Sequence, residues 1–398
     1  MKEAIIKAKE VISPYIKDIG LFYSDYFSEI LKADIYFKAE NLQKTGAFKI
    51  RGALNCILQN KDKCVNGVIT ASAGNHAQGV AYGANLLGIK SVIVMPIHTP
   101  LVKINNTKKY GAEVILQGNS YDEAQVIASQ ISKDKSLFFI HPFDDDDVIA
   151  GQGTIGLEIL NSLKDIDNII LPIGGGGLAA GVSSYVKAVN PNIKVIGVQS
   201  EAVSSMAASI RNKRIVRATG ESFIAEGISV KNISKKTFDI CLENVNQIVT
   251  VSENQIAAAI LDYLEKSKIV VEGAGAAPLA ALLSRKIDYK GKKNVIIISG
   301  GNIDTNMISR IISKGMATSG RFLEVMVTLR DIPGSLSKIT QLVASLEGNI
   351  LNIRHDRFGA GLPIGFTRVA LEIETKSIDH IEELVIALKS AGYDVTLS

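Results

Sequence analysis

A lysine in an apolar setting is the first residue of this chain that invites a chemical reading. In "AENLQKTGAFKIRG" (residues 39–52), Lys49 stands between Phe48 and Ile50 at the start of a helix-forming run. Burying an ammonium is costly, so such a lysine either snorkels to solvent or supplies an amine that chemistry needs. Lys44, beside Thr45 and Gly46, reads as a surface or cleft-edge residue. Further on, "LPIGGGGLAAGV" (171–182) carries Gly174, Gly175, Gly176 and Gly177 from an apolar strand into a helix expected to start near Leu178. Glycines let a ligand approach the backbone, and the first N–H groups of a helix point at it with the positive end of the dipole, which makes a phosphate cradle. The stretch lacks the Lys–Ser/Thr of a Walker loop and the pattern of a dinucleotide fingerprint.

Two more strand ends are rich in small residues. "TASAGNHAQGVA" (70–81) opens a helix near Asn75 and presents Ser72, Ala73, Gly74, Asn75 and His76 to whatever sits above the sheet, a carboxylate being the natural guest. Simple N-capping by Ser72 or Asn75 accounts for this loop equally well in isolation. "SGGN" (299–302) places Ser299 as the first polar group after another apolar run. A lysine amine, an anion cradle and a carboxylate loop, without a metal-ligand cluster or Ser–His–Asp spacing, point to Schiff-base chemistry with an aldehyde cofactor. The acidic run Asp144–Asp147 is better explained as a helix cap than as a cation site. Glu272 could face the cleft or sit in a structural ion pair, and Glu226 could join a cation site.

These residues need rigid elements to position them. ADIYFKA, GVITAS, SVIVMP, AEVILQ, LFFI, NIILPIG, KVIGVQS, NQIVTV and NVIIISG read as buried strands, most of them separated by helical segments such as Asn75–Leu87, Tyr121–Ser132 and Val148–Leu160. Apolar strands alternating with helices predict parallel sheets covered on both faces, with ligands at the carboxyl ends of the strands. The number of strands predicts two sheets with a cleft between them. Around KGMATSG the periodicity lapses, which predicts a linker at 317–321. Beyond it, residues 322–398 follow a βαββαβ order, a ferredoxin-like module of about 75 residues.

Composition narrows the function classes. The 398 residues are 46% hydrophobic and 21% charged with a net charge of +4, enough for a sizeable core. The basic residues are scattered, with no stripe interleaved with aromatics, so no nucleic-acid partner is expected. No apolar run approaches the ~20 residues that span a bilayer, and the start of the chain has no signal-peptide pattern, so no membrane partner is expected either. Three cysteines without metal-like spacing suit a reducing compartment, and the expected location is cytoplasmic with no bound metal.

TGAFKIRGA, SAGNHAQG, HPFDD, AGQGT, GGGGL, EGAGA and SGGN, in this order, resemble the fold-type II (tryptophan synthase β-like) pyridoxal-phosphate enzymes, and most of all the threonine ammonia-lyases. The resemblance covers about residues 1–316 as the catalytic domain, with a smaller subdomain about 50–145 inside it. From Arg321 the tail resembles an ACT domain, with DIPGSLSKI at its first strand–helix junction. The resemblance implies pyridoxal 5'-phosphate carried on Lys49, which also removes the substrate α-proton. It puts Phe48 on the ring face, Asn75 at the ring hydroxyl, Ser299 at the pyridine nitrogen, and Gly174, Gly175, Gly176, Gly177 and Leu178 around the phosphate. Ser72, Ala73, Gly74, Asn75 and His76 would receive the substrate carboxylate. Threonine would give 2-oxobutanoate and ammonia, and serine would give pyruvate. Serine racemases of this fold carry a serine where Ala73 stands, which leaves racemisation, with hydroxyaspartate ammonia-lyase, as the alternative activity; a sensor on an inactive fold is the non-enzymatic one. The ACT resemblance implies a homodimer or homotetramer and an amino-acid effector, isoleucine or valine for a pathway end-product, near Gly334 and Asn349 or Asn352.

Overall fold

In the computed structural model, which describes residues 1–358 and 361–397, the chain forms two compact units, Met1–Asp304 and Thr305–Ser398. The first unit contains two sheets. The larger has six strands in the order β1-β2-β10-β7-β8-β9: β1 (Leu21–Tyr23), β2 (Asp34–Ala39), β10 (Lys293–Ile298), β7 (Asn168–Pro172), β8 (Lys194–Ser200) and β9 (Gln247–Val251). All its pairings are parallel except that of β1 with β2. The smaller sheet, in the order β5-β4-β3-β6, is wholly parallel: β5 (Glu113–Leu116), β4 (Ser91–Met95), β3 (Val68–Ala71) and β6 (Phe138–Phe139). Every residue of β3, β4 and β7 is buried, as continuous apolar runs covered on both faces require. The nine strands expected from the sequence are all present; β1 is an addition.

The helix Lys49–Gln59 packs against the helices Asn75–Leu86 and Asp146–Ser162. Ile50, Ala53, Leu54 and Ile57, at the i, i+3, i+4, i+7 spacing of one helical face, are fully buried. A charged residue on the same helix is fully buried too. Arg51 makes fork contacts of 2.7 and 2.8 Å to Glu40 and of 2.8 Å to both oxygens of Glu158, with Thr154 Oγ1 at 3.0 Å. Lys38 adds a 2.6 Å bond to Glu158, and Lys9 closes the cluster from the N-terminal helix. Burial of Glu158 opposes its ionisation, but Arg51 and Lys38 outweigh that and hold its carboxyl at about 2. The cluster anchors the helix two residues beyond Lys49, and each of its buried charges has an opposite partner, as burial requires.

The second unit opens with the helix Thr305–Thr318, which takes up two of the five residues of the linker expected at 317–321; Ser319, Gly320 and Arg321 turn the chain before the next strand. There follow β11 (Phe322–Arg330), a helix Ser335–Ser345, β12 (Asn349–Asp356), β13 (Phe366–Glu374), a helix Ile378–Ser390 and β14 (Asp394–Leu397). The antiparallel sheet order β12-β13-β11-β14 is that of a ferredoxin-like βαββαβ unit. Strands β11 and β13 alternate buried and half-buried residues, so one face packs on the helices. Among the described residues no helix is long and apolar enough to cross a membrane.

Candidate active site

In the first unit the carboxyl ends of β3 and β6 meet those of β2, β7 and β10, and the predicted site residues gather there. Lys49 is the first residue of its helix; the N–H of the preceding Phe48 is fixed by the Ser299 carbonyl at 3.0 Å. The half-buried Lys49 amine donates to the Pro142 carbonyl at 2.7 Å and lies 5.3 Å from the Phe48 ring centroid. Burial lowers its pKa to about 8, against the upward pull of Glu272. A nucleophilic amine at neutral pH needs this adjustment.

The glycine loop is packed from behind. A Cβ on Gly175 would overlap the Phe143 ring, one on Gly177 would lie 3.0 Å from Phe143 Cα, and one on Gly174 would lie 3.1 Å from Ile228 Cα. Gly176, at φ +95°, adopts the left-handed conformation that a side chain resists, and its Cβ would meet Met206 and Thr237 at 2.8 and 2.9 Å. Thr237 Oγ1 donates to the Gly175 carbonyl at 2.7 Å, which turns the peptide carbonyl away from the ligand side. Among the described residues the amides of Gly174, Gly175, Gly176, Gly177 and Leu178 meet no acceptor. They stand at the N-terminus of the helix Gly177–Val189, one residue earlier than the start expected from the sequence. Such an arrangement holds an anion.

Across the cleft, the helix Asn75–Leu86 begins at Gly74, with neither Ser72 nor Asn75 as its side-chain cap. Ser72 Oγ instead accepts the Gly74 N–H at 3.2 Å, which leaves the amides of Ala73, Asn75 and His76 without acceptors among the described residues. The His76 imidazole is buried and turned inward, with Nε2 3.2 Å from the Ile140 carbonyl, and burial pushes its pKa well below the usual value. What His76 offers the loop is therefore its backbone N–H. Asn75 donates to Glu272 Oε1 at 2.7 Å and accepts from Asn302 Nδ2 at 2.8 Å. Glu272 is thus a cleft residue bonded to a neutral amide. Burial raises its pKa to about 7, with the Asn75 bond opposing. Ser299 is almost fully buried, and its Oγ has no hydrogen-bond partner among the described residues.

Pro142, His141, Phe143 and Asn302 join the cleft without any role that their residue types announce. The HPFDD stretch holds the first three, but a carbonyl acceptor and a ring packed behind glycines leave no signature in residue type. Asp145 caps the helix Asp146–Ser162 through the Val148 N–H at 2.9 Å, as the acidic run suggests. Cys56, Asp145 and Asp147 bring three potential ligand atoms within 4.8 Å, yet Asp147 also accepts from Asn60. Glu226 pairs with Lys103. In the second unit Gly334, at φ +87°, precedes the helix Ser335–Ser345, while the Asn349 and Asn352 amides donate to Glu374 and Glu372 on β13. Asn349 is level with Phe322 at the start of β11, whereas Gly334 follows Arg330 at its end. One chain therefore holds them roughly 25 Å apart along the sheet.

Residues 12–301 match the model of the family described as "Pyridoxal-phosphate dependent enzyme". An L-threonine ammonia-lyase of Thermotoga maritima is 48% identical over 396 residues, covering 99% of this chain and 98% of the relative. Among solved structures, the processed form of threonine deaminase isoform 2 from Solanum lycopersicum aligns with a TM-score of 0.74 at 36% identity, covering 78% of this chain and 87% of that one. Maize serine racemase aligns with a TM-score of 0.75 at 32% identity, covering 80% and 98%. With an open row of glycine amides, a weakly basic lysine and a buried serine hydroxyl at one cleft, the chain belongs to the family of pyridoxal-phosphate dependent enzymes.

Proposed function

We propose that the protein is an L-threonine ammonia-lyase, converting L-threonine to 2-oxobutanoate and ammonia and also accepting L-serine, which gives pyruvate. The observation that carries this reading is the 48% identity to an L-threonine ammonia-lyase across nearly the whole of both chains. The cleft fits the cofactor: the five amides from Gly174 to Leu178 would take its phosphate, and the unpartnered Ser299 Oγ suits the ring nitrogen. Phe48 would cover one ring face, and Asn75, whose amide keeps a second N–H, would meet the ring hydroxyl. Bound pyridoxal 5'-phosphate supplies an aldehyde for the substrate amine and an electron-poor ring that accepts charge when the Cα–H bond breaks.

The chain's residues do the rest. The open amides of Ala73, Asn75 and His76, with Ser72 and Gly74, orient the substrate carboxylate. The Lys49 amine takes the α-proton and the β-hydroxyl departs as water. A water molecule then re-enters and ammonia leaves, so the net change is loss of ammonia alone. A neutral serine at position 299, rather than a carboxylate, disfavours a protonated ring nitrogen, which favours prompt elimination over a long-lived carbanion. Ala73 provides no hydroxyl to return a proton from the face opposite Lys49, which supports elimination over racemisation. Incubating the purified protein with L-threonine and L-serine should yield oxo acid; D-serine formed faster than pyruvate would replace this reading with a racemase.

The second unit serves in this reading as an ACT-type effector domain of a cytoplasmic homodimer or homotetramer. An amino acid would bind between paired copies, since Gly334 and Asn349 can share a site only across two chains. Truncation after Thr318 should abolish the response of activity to branched-chain amino acids, and a retained response would remove the role.

A further inference from the structure

We propose that His141 is the positioning residue that sets both the Lys49 amine and the glycine cradle, by ordering the turn His141–Asp144 through its unprotonated Nδ1. Nδ1 accepts two backbone N–H groups, from Phe143 at 3.3 Å and from Asp144 at 2.8 Å. An atom that accepts both carries no proton, so the neutral tautomer has its hydrogen on Nε2, which lies 3.2 Å from the Gln125 side-chain amide and donates to it when that amide is turned to present its Oε1. The turn it closes has two working parts. The Pro142 carbonyl receives the Lys49 amine at 2.7 Å. The buried Phe143 ring stands edge-on to the imidazole, 4.7 Å between centroids and 89° between planes, and fills the space behind Gly175 and Gly177.

The turn follows the two-residue strand β6, which among the described residues pairs only with β3, so little regular structure holds it. Inside the turn, the Nδ1 bonds fix the peptide on either side of Phe143 and thereby the direction of the Pro142 carbonyl. Burial keeps the imidazole neutral, with its pKa at about 4 against the pull of Asp144, while Lys49 and Lys236 depress it further. The inference rests on the proposed use of Lys49 and the glycine amides toward the cofactor.

An asparagine in this position can accept the same i+2 and i+3 amides through its side-chain oxygen, whereas leucine fills the space and accepts nothing. The test strips the full chain of cofactor and titrates it with pyridoxal 5'-phosphate, following visible absorbance and equilibrium dialysis, with the cofactor-free melting temperature recorded separately. His141→Leu should bind about tenfold more weakly than the parent, and His141→Asn within about threefold of it. Equal affinity in the leucine variant, or a loss in the asparagine variant as large as that in leucine, overturns the proposal. Should the leucine variant not fold, His141→Gln, whose oxygen is displaced by a methylene, takes its place with the same expectation. A parent chain that fails to take up cofactor would instead count against the site reading itself.

Discussion

Lys49 in the cofactor-free protein should behave as an unusually weak base. Its pKa of about 8 leaves about a quarter of the amine neutral at pH 7.5, against about 0.1% for a lysine at the usual 10.5. The net depression corresponds to about 3 kcal/mol against the charged amine, burial outweighing the pull of Glu272. Between pH 8 and 10.5 the unfolded chain binds the proton that the folded chain has released, so the cofactor-free protein gains stability as pH rises through that window. Labelling by an amine-directed reagent, with the Lys49 peptide quantified by mass spectrometry across pH 6–11, should show a midpoint near 8. Glu272 raises the pKa of Lys49, and its own value of about 7 makes it mostly ionised at the Lys49 midpoint. Glu272→Gln should therefore lower the midpoint by roughly 1 unit. A parent midpoint at 10 or above, or one that Glu272→Gln leaves in place, would refute the argument that burial and Glu272 together set this amine.

Glu158→Gln should destabilise the first unit by about 3 kcal/mol in urea unfolding, because Arg51 and Lys38 lose a buried counter-charge. The parent's Glu158 sits at about 2 when folded, so its contribution is present above pH 4.5 and lost as pH falls towards 2; the variant should show a flatter acid limb. Gly175→Ala forces a methyl into the Phe143 ring and should weaken cofactor binding tenfold or more in equilibrium dialysis, while Gly20→Ala, which meets nothing within 4 Å, should leave it unchanged. Ala73→Ser should raise D-serine formation from L-serine relative to pyruvate, measured by chiral chromatography.

Much of the first unit is legible because its parallel strands are buried on both faces, and VIV- and III-type runs have few other destinations. The glycine loop announces itself for the same reason that it works: no other residue tolerates Phe143, Thr237 and Met206 at those distances. The three-residue β1 is too short to carry an alternation, and KGMATSG hides a helix because small residues that suggest a linker are also compatible with helical backbone. Contacts across the cleft were beyond reach. Residue type says nothing of a Pro142 carbonyl turned toward Lys49, or of an Asn75 amide shared between Glu272 and Asn302, since both depend on how two sheets face one another. His76 shows the reverse difficulty, a residue whose type suggests chemistry while its imidazole is spent on the Ile140 carbonyl.

The place of β10 in the larger sheet has a consequence for biosynthesis. It lies between β2 and β7, and it delivers Ser299 and Asn302 to the cleft, yet it is the last strand of the first unit to be made. Asn75 and Glu272 are separated by 197 residues, which a ribosome takes roughly 10–40 s to add. Throughout that interval the nascent chain holds Lys49 and Asn75 with β2 unpaired on one side and half of the cleft missing. The cofactor therefore cannot template early folding. It meets a finished pocket only after synthesis has passed Asn302, and until then the open edge of β2 needs protection from other chains.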